Sequence, residues 1–432
     1  MSRMKDSGVA YLGDIDSKFD TATINSLFTI KKDIIGHEPD LVLSITQKGI
    51  RPKDIESNEG QIAASYANYQ MVNIGDFAMN HMDLITGGID ISKYNGVTSP
   101  DYRVFVLKDK EMVDRYFLYV FQLYYKTRTF FGFGQGVANL GRWRLPANNF
   151  KNIIVPLPAV NIQKKIVCIL DSQCEMIDRL ISNVRAQIEK LKAYKQSVIT
   201  EIVTKGLDPF APMKDSGVEW IGEIPEHWEV RRIKHIADPN IENSYIDGDW
   251  IESPFITDNG IRYYTTGNVG DGAFKHQGNG YISEETFAEL NCKYAYPGDL
   301  VISRLNEPYG RSCILPNDVE RCIIAVDVVI LRPSVEFNKQ YLCYQTQMPN
   351  YHAAVGEKAR GTAMKRISRF NLGNIFLIVP PKHEQDTMAH LLDEKCRRVD
   401  QLITIKQKKI DKLNEYKKSL IYEYVTGKKE VS

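Results

Sequence analysis

The chain has 432 residues, of which 43% are hydrophobic and 25% charged, and its formal net charge is +1. This length exceeds what one hydrophobic core usually supports, so at least two domains are expected. The near-neutral net charge by itself argues against binding to nucleic acid, which requires clustered Lys and Arg, so the local distribution of charge has to be considered. No apolar run reaches the roughly 20 residues that cross a membrane, so we expect a cytoplasmic protein with no membrane partner.

The chain opens on a short phrase that it repeats half a chain later. Residues 4–15 read MKDSGVAYLGDI and residues 213–224 read MKDSGVEWIGEI, which indicates a larger internal repeat. After the first copy, short β-rich runs such as LVLSI at Leu41 mix with a helical run, DRYFLYVFQLYY at Asp114. We predict a first globular domain, module one, over residues 1–157, with residues 4–15 as its joint.

The next segment, residues 158–207, lacks Pro and Gly from Ala159 to Lys205, and its apolar residues recur in alternating steps of three and four. This spacing predicts one long helix, and the heptad repeat is typical of a coiled coil, although separate amphipathic helices would show a similar pattern. A shift of 222 residues places Asp178 on Asp400 and predicts a second long helix in residues 380–432. The predicted seam consists of Leu170, Ile177, Ile181, Val184, Ile188, Leu191, Leu392, Val399, Ile403, Ile410, Leu413 and Leu420.

Residues 208–379 form a second predicted globular domain, module two, with residues 213–224 as its joint. An apolar-x-Gly-Asp-apolar frame occurs in both modules, as VNIGDFAMN at Val72 and AYPGDLVIS at Ala295, and indicates a turn that leads into a strand. The modules are therefore predicted to be related α+β domains in a pseudo-two-fold repeat of module, helix, module, helix. The N-terminal phrase is then expected beside the end of the second helix, near Val425.

Fragments that resemble catalytic motifs are incomplete. FGFGQG at Phe131 resembles a Gly-rich loop for S-adenosylmethionine, but it follows a helical run rather than a strand. NEPY at Asn306 has Glu307 where the clamp of adenine methyltransferases has a proline. The seven cysteines never show C-x-x-C spacing, and the eight histidines form no metal-binding pair on a helix. We therefore expect no catalytic site and no metal site.

Local clusters of positive charge point to a binding function. Residues 357–369 (EKARGTAMKRISR) carry five Lys and Arg side chains, residues 46–54 (TQKGIRPKD) carry three, and RWR at Arg142 adds two. Such side chains suit phosphates and guanine edges, and nearby Asn or Gln side chains suit adenine. A solvated basic loop explains any one cluster equally well, whereas clusters in corresponding places of the two modules favour DNA contact.

Taken together, these segments resemble the specificity subunit of type I restriction-modification systems. The resemblance rests on the doubled phrase, on IGEIPEHWEVRRIKHI from Ile221, on LSITQKGIRPKD from Leu43 and on ARGTAMKRIS from Ala359. It also rests on the two repeated helices, which follow IVPLP and IVPP. It covers the full length, and the order and number of segments match as well as the motifs.

The resemblance implies that each module is a target recognition domain, which reads one half of a split DNA sequence, and that the helices form an antiparallel coiled coil. The implied partners are double-stranded DNA, two methyltransferase subunits and two restriction (motor-nuclease) subunits. S-adenosylmethionine, ATP and Mg²⁺ are expected on those subunits, with no cofactor on this non-catalytic chain. The alternative is a coiled-coil scaffold with two protein- or glycan-binding modules. Candidate DNA contacts are Thr46, Gln47, Lys48, Arg51, Tyr66, Asn68, Arg142, Arg144, Asn268, Arg304, Asn306, Arg360, Thr362, Lys365 and Arg366.

The helices and joints give further expectations. A seam of 33 residues in the first helix would be about 50 Å long and would separate the half-sites by on the order of 15 base pairs. Removing one heptad from each helix should therefore shorten the unread gap. Antiparallel helices would keep Cys174 and Cys396 too far apart for a cross-link. The first joint has Phe19 where the second has Trp228, which leaves open that it packs differently.

Overall fold

The computed structural model describes residues 3–55, 63–136, 143–361 and 364–431. The chain divides into two compact units: unit one consists of Met1–Arg185 with Gln407–Ser432, and unit two of Ala186–Lys406. Each unit therefore combines one module with one half of each long helix. In the part of the chain that the structure describes, no helix is long and apolar enough to cross a membrane. The seven cysteines are free thiols.

Short strands connected by turns build most of module one. In chain order they are β1 (Met4–Asp6), β2 (Asp14–Asp16), β3 (Asp20–Thr23), β4 (Phe28–Lys31), β5 (Leu43–Thr46), β6 (Gly49–Pro52), β7 (Gln70–Val72), β8 (Phe77–Met79), β9 (Ile89–Ile91), β10 (Gly96–Thr98), β11 (Arg103–Leu107) and β12 (Ile154–Leu157). The helices are α1 (Ile24–Leu27), α2 (Asp114–Lys126), α3 (Thr129–Gly132), α4 (Ala147–Asn152) and then the long α5 (Val160–Lys205).

A four-stranded antiparallel sheet lies at the centre of module one, in the order β4-β11-β8-β9. Its strands bring Phe28, Phe77 and Phe105 onto one face, and α2 packs Phe117 and Phe121 against them. The Phe28 ring centroid lies 5.3 to 5.5 Å from the other four, in the edge-on or tilted geometry that aromatic pairs prefer. This aromatic core fixes α2 on the sheet.

The remaining strands of module one pair two by two, and all pairs are antiparallel. The pairs are β1 with β2, β3 with β12, β5 with β6, and β7 with β10. The β5–β6 pair is a hairpin with Gln47 and Lys48 at its tip. The Tyr11 hydroxyl of the first joint donates to the Ile154 carbonyl oxygen at 3.2 Å. The joint therefore lies beside the strand that leads into α5.

Module two and the second long helix complete the chain. The strands are β13 (Met213–Asp215), β14 (Glu223–Pro225), β15 (Glu229–Arg232), β16 (Tyr245–Asp247), β17 (Ile261–Tyr264), β18 (Tyr281–Ile282), β19 (Leu300–Ser303), β20 (Ser312–Ile314), β21 (Ile323–Ile324), β22 (Val328–Leu331) and β23 (Phe376–Val379). The helices are α6 (Glu284–Glu289), α7 (Lys339–Gln345), α8 (Pro349–Glu357), α9 (Arg369–Gly373) and α10 (Lys382–Val425). Short 3-10 turns lie at Ile233–His235, Ser253–Phe255 and Thr266–Asn268.

Module two repeats the plan of module one. Its central sheet has the order β16-β22-β19-β20, which matches β4-β11-β8-β9 strand for strand. The joint pair β13–β14 and the closing pair β15–β23 match β1–β2 and β3–β12. A sheet of the order β18-β17-β21, with a parallel β17–β21 pair, distinguishes module two. The predicted α+β fold with two related modules is therefore confirmed.

The long helices α5 and α10 pack side by side in each unit and run in opposite directions. In unit two, the Lys406 ammonium donates to Gln187 at 2.6 Å, and Lys195 pairs with Asp400 at 2.7 Å. The position on α10 falls as the position on α5 rises, which is the signature of antiparallel helices. An equivalent lysine–aspartate pair crosses the helices in unit one. The antiparallel coiled coil implied by the resemblance is therefore present.

Most of the predicted seam positions are buried. Leu191, Ile403 and Leu413 are half-buried, because a contact between two helices leaves the edges of its seam accessible to water. The buried positions are Leu170, Ile177, Ile181, Val184, Ile188, Leu392, Val399, Ile410 and Leu420.

Each joint packs against the end of a long helix. In unit one, the Phe19 ring lies so close to Gly427 that a Cβ there would come within 3.0 Å of it, and in unit two Trp228 lies equally close to Gly206. Both glycines have positive φ, +71° and +77°, the left-handed conformation that ends many helices. The N-terminal joint therefore lies beside the end of α10 as predicted. Phe19 takes the place of Trp228 against the glycine, but the two joints differ in one contact. The Trp228 indole N–H also donates to the Glu384 carboxylate at 3.0 Å, and phenylalanine has no such donor.

Candidate nucleic-acid interface

The basic segment of module two folds back onto the loop between β19 and β20. Leu305 and Arg366 form an isolated β-bridge, as do Arg360 and Arg366, and the Ile367 N–H donates to the Arg304 carbonyl oxygen at 3.1 Å. These contacts leave a cleft of about 350 Å³, which we call the basic cleft. Its lining residues are Arg304, Val326, Lys358, Arg360, Arg366, Ser368 and Asn371.

Arg304 lines the basic cleft, but it is only 7% exposed and serves internal partners. Its guanidinium lies 3.1 Å from the Asp247 carboxylate and 3.6 Å from that of Asp327, and it donates to the Val326 carbonyl oxygen at 2.7 Å. Burial raises the pKa of Asp247, and the neighbouring arginines oppose that rise. A phosphate or base would have to displace these partners, so the structure does not support Arg304 as a DNA contact.

The other cations of the basic cleft are exposed. The Arg366 guanidinium lies 3.5 Å from Asp327, yet 59% of its side chain is open to solvent. Arg360 donates one nitrogen to the Glu357 carbonyl oxygen at 2.8 Å, and a guanidinium has five N–H donors, so others stay available. Lys365 is also exposed. These side chains can contact phosphates or base edges without breaking the core.

Asn306 lies in the same loop, and Arg311 holds that loop in place. Asn306 is exposed and has φ +63°, a conformation that asparagine tolerates better than most residues. The buried Arg311 donates to the carbonyl oxygens of Asn306 at 2.9 Å, Thr266 at 3.0 Å and Val269 at 2.7 Å. Burial lowers the pKa of Arg311. Arg311 thus joins two loops, a role that the sequence did not reveal because nothing in its motif distinguishes a buried arginine.

Asn268 is used inside the protein rather than at a DNA surface. It is 3% exposed and forms a capping box with Thr265. Its amide nitrogen donates to the carbonyl oxygens of Lys275 at 2.8 Å and Gln277 at 2.9 Å. With both sides of the amide satisfied, Asn268 cannot read an adenine edge in this conformation, so this prediction is corrected. The Thr-x-x-Asn spacing resembles the Ser/Thr-x-x-Glu/Gln signature of a capping box, with Asn268 in place of Glu or Gln.

The β5–β6 hairpin carries the candidate contacts of module one. The Thr46 hydroxyl accepts from the Lys48 N–H and donates to the Gly49 carbonyl oxygen, both at 3.0 Å. Gln47, Lys48 and Arg51 are exposed. Gly49 has φ +94°, and a Cβ there would come within 2.4 Å of an Asp90 carboxylate oxygen. The tip therefore requires glycine, and the hairpin as a whole presents the Gln47 amide and the cations of Lys48 and Arg51 to solvent.

Tyr66 and Asn68 differ in their exposure. Tyr66 is buried, and its ring lies edge-on to Tyr69 with centroids 4.9 Å apart. Its N–H donates to the Glu38 carboxylate at 3.2 Å. The prediction of Tyr66 as a DNA contact is thus corrected to a packing role. Asn68 is exposed two residues later and stays a candidate.

Arg144 occupies the place in module one that Arg366 occupies in module two. Arg144 forms an isolated β-bridge with Gln135, as Arg366 does with Arg360. Both arginines are exposed, and each is followed by a short helix and then by the last strand of its module. The segment that corresponds to the basic cleft is therefore the one at Arg144, not the hairpin. Arg142 and Thr362 lie outside the described residues.

The family model described as "Type I restriction modification DNA specificity domain" matches this chain twice, at residues 53–190 and 225–415. The chain belongs to this DNA specificity family. The two matches fall in successive repeats of the specificity chain, and each covers most of one module and the greater part of one long helix.

Curated relatives of the specificity chain carry related names. The type I restriction enzyme MjaVIII specificity subunit of Methanocaldococcus jannaschii is 27% identical over 407 residues, which cover 92% of this chain and 88% of that protein. The putative type I restriction enzyme MjaX specificity subunit of the same organism is 24% identical over 411 residues, with the same coverage.

A solved structure shares the fold of the specificity chain. It comes from work on complex assembly and conformational transition of the type I R-M system. The TM-score is 0.68 at 15% identity, and the match covers 95% of this chain and 98% of the other. At this identity the likeness concerns the fold. Among the residues that our structure describes, no group of three or more His, Cys, Asp or Glu side chains could hold a metal ion.

Proposed function

We propose that this chain is the DNA-reading subunit of a type I restriction-modification complex and that it binds a bipartite sequence, with one half-site for each module. The observation that carries the proposal is the double match to a DNA specificity domain, once in each repeat. The repeated fold supports it, because two modules with the same central sheet can present their loops to two DNA segments in the same manner.

The exposed side chains supply the chemistry of recognition. In module one these are Gln47, Lys48 and Arg51 on the hairpin, and in module two they are Arg360 and Arg366 at the basic cleft. Amides pair with adenine edges, and guanidinium groups pair with guanine edges or phosphates. With a net charge of +1 for the whole chain, phosphate contact has to be shared with partner subunits.

In this proposal the chain is non-catalytic and cytoplasmic, and its partners carry out the reactions. Two methyltransferase subunits methylate adenine at N6 with S-adenosylmethionine, and two restriction subunits use ATP and Mg²⁺. The pseudo-two-fold repeat supports two copies of each partner, because equivalent surfaces on the two halves can bind identical subunits. The scaffold alternative, with modules that bind proteins or glycans, has no support in the family match.

The test is to co-express the chain with the adenine methyltransferase encoded beside it and to map N6-methyladenine across the host genome by single-molecule sequencing. We expect a split motif with a fixed unread gap. A well-formed complex that methylates nothing, or that methylates a continuous motif, would contradict the proposal. Swapping module two for that of a relative should change one half of the motif and leave the other half intact.

A further inference from the structure

The backbone next to the exposed arginine of each basic segment is fixed by a hydrogen bond in both modules. In module one the Leu145 N–H donates to the His81 carbonyl oxygen at 2.8 Å. In module two the Ile367 N–H donates to the Arg304 carbonyl oxygen at 3.1 Å. Both Leu145 and Ile367 are buried, so the exposed arginine that precedes each of them extends from an anchored backbone.

The carbonyl oxygen of the same residue accepts from a buried guanidinium in both modules. Arg103 of β11 donates to the Leu145 carbonyl oxygen at 2.9 Å. Arg304, which follows β19, donates to the Ile367 carbonyl oxygen at 3.1 Å. The two arginine side chains are buried. Each module therefore uses one buried arginine to hold the segment that carries its exposed arginine.

The two buried arginines come from positions that are not equivalent in the repeat. The strand register places Val329 of β22 where β11 has Arg103. The hydrogen bonds to the carbonyl oxygens of His81 and Arg304 show that His81 stands where module two has Arg304. The common feature is therefore the guanidinium at the carbonyl oxygen, and not the chain position that supplies it.

The surroundings balance the two buried charges by different means. The Arg103 guanidinium lies over the Phe150 ring, 4.6 Å from its centroid, whereas Arg304 lies beside two carboxylates. Burial lowers the pKa of Arg103 to about 10, so its side chain is still charged at neutral pH. Burial, together with the charges of Arg103 and Arg144, lowers the pKa of His81 to about 3. His81 is therefore neutral, and Arg103 is the buried cation at this place in module one.

Stability is a weak reason to bury an arginine at these places. Removing a charge from water is costly, and nearby partners often offset that cost only in part. The buried Val329 shows that an apolar residue fits the sheet position of Arg103. Among the described residues, Nη1 of Arg103 also has no hydrogen-bond partner. A role in holding the neighbouring basic segment explains the buried charge better than stability does.

We propose that Arg103 and Arg304 are positioning residues for DNA recognition, which hold the exposed arginines Arg144 and Arg366 in the direction in which they meet DNA. This inference rests on the proposed function. A side chain that recognises a base edge has to be held within roughly 0.5 Å of its productive place. Hydrogen bonds to both the N–H and the carbonyl oxygen of the next residue supply that restraint. The exposed arginines contact DNA, and the buried arginines act through them.

The test compares Arg304→Met with Arg366→Ala in the complex co-expressed with the methyltransferase, by mapping N6-methyladenine across the genome. Arg304→Met should relax the same half-site position as Arg366→Ala. Discrimination at that position should fall on the order of tenfold, which is the size of one base contact. The double variant should lose little more than either single variant, because both substitutions act on one contact. Arg103→Met and Arg144→Ala should show the same relation in the other half-site.

Matched controls separate positioning from a loss of stability. Arg332→Met breaks the ion pair of Arg332 with Asp299 (2.8 Å), and Lys31→Met breaks that of Lys31 with Asp76 (2.6 Å). The two aspartates precede β19 and β8, so these ion pairs lie at the other end of those strands from the basic segments. Both controls should leave the motif unchanged, and urea unfolding of each variant measures the stability that it loses.

A second pair of variants keeps the charge at the buried positions. Arg103→Lys and Arg304→Lys retain a cation but lose the planar fork of donors, so they should fold and relax the same positions to a smaller extent. The positioning role is overturned by Met variants that leave the motif unchanged, by relaxation at positions other than those of the exposed arginines, or by equal relaxation in the controls. A wild-type complex that methylates no split motif would instead overturn the proposed function.

Discussion

At the scale of single residues, Arg366 is a cation of the basic cleft whose side chain is accessible enough to contact DNA. Its side chain is 59% exposed and its nearest carboxylate, Asp327, is 3.5 Å away. If it reads a base edge, Arg366→Ala should cost roughly 1–3 kcal/mol of binding and relax one position in one half-site. The methylation motif of the variant measures this. A uniform loss of methylation across all sequences would assign Arg366 to a phosphate instead.

Arg311 is buried, so its substitution is expected to change the stability of the fold rather than a contact with DNA. Arg311→Met removes the donor shared by the carbonyl oxygens of Thr266, Val269 and Asn306. Buried acceptors without donors are costly, so we expect the free energy of unfolding to fall by about 2–4 kcal/mol. Urea unfolding of the purified chain measures it. Lys365→Met, on the exposed segment, should change stability by less than about 0.5 kcal/mol, and equal losses in both variants would refute the role of Arg311.

The type of a residue showed which hydrogen-bonding groups its side chain has, but not whether those groups are free to contact DNA. Asn268, Arg304 and Tyr66 all have groups that could contact DNA, but each is buried with partners of its own or packed in the core. Hydrogen-bonding capacity is a property of the residue, whereas the partner that uses it comes from distant parts of the chain. Exposed hairpin residues such as Gln47 remained candidates because the local turn alone sets their exposure.

At the scale of elements, the two long helices were predictable from their heptads, because helix formation and amphipathic spacing are local. In the structure α5 spans Val160–Lys205 and α10 spans Lys382–Val425, which lie within the predicted segments 158–207 and 380–432. The heptad spacing does not show whether the two helices pair in a parallel or an antiparallel manner, so the antiparallel prediction came from the resemblance to the family. The equivalence of the Arg144 segment and the basic cleft likewise became visible only in the structure, through the bridges at Arg144 and Arg366 and the helix and strand that follow each of them. A cluster of charges in the sequence shows where a basic segment lies in the chain. Only the order of strands and helices shows which basic segment of module one is equivalent to which segment of module two.

A buried glutamine at the start of each long helix attaches the module to it. The Gln163 carboxamide accepts from the Val113 N–H at 3.0 Å, and Gln385 accepts in the same way from the Asn338 N–H at 2.8 Å. Gln163→Leu or Gln385→Leu leaves that partly buried N–H without its acceptor and should lower the free energy of unfolding by about 1–3 kcal/mol. Urea unfolding measures it, with Gln173→Leu on α5 as the half-buried control. A control as unstable as the variants would refute the attachment.

At the scale of the whole molecule, the repeat predicts that the chain can be reopened at another point. The backbone N–H of Asp16 donates to the carbonyl oxygen of Thr426 at 2.9 Å, and the N–H of Ser17 to that of Arg3 at 2.7 Å, so the N-terminal joint lies against the end of α10. A permutant that links the termini and opens near the exposed Leu207 should fold and support methylation of the same motif. A soluble permutant without methylation would count against this layout.

The sequence by itself determined the repeat, the helices, the class of both modules and, through its resemblance, the family. These features depend on local spacing and on similarity between segments, which are present in the unfolded chain. The tertiary structure alone decided which polar groups are already satisfied, which loops Arg311 joins, and that Tyr119 and Tyr344 each join a module to a long helix. Those contacts join residues far apart in sequence, as Tyr119 joins Asp171 and Tyr344 joins Asp393, and their geometry exists only once the hydrophobic cores have packed.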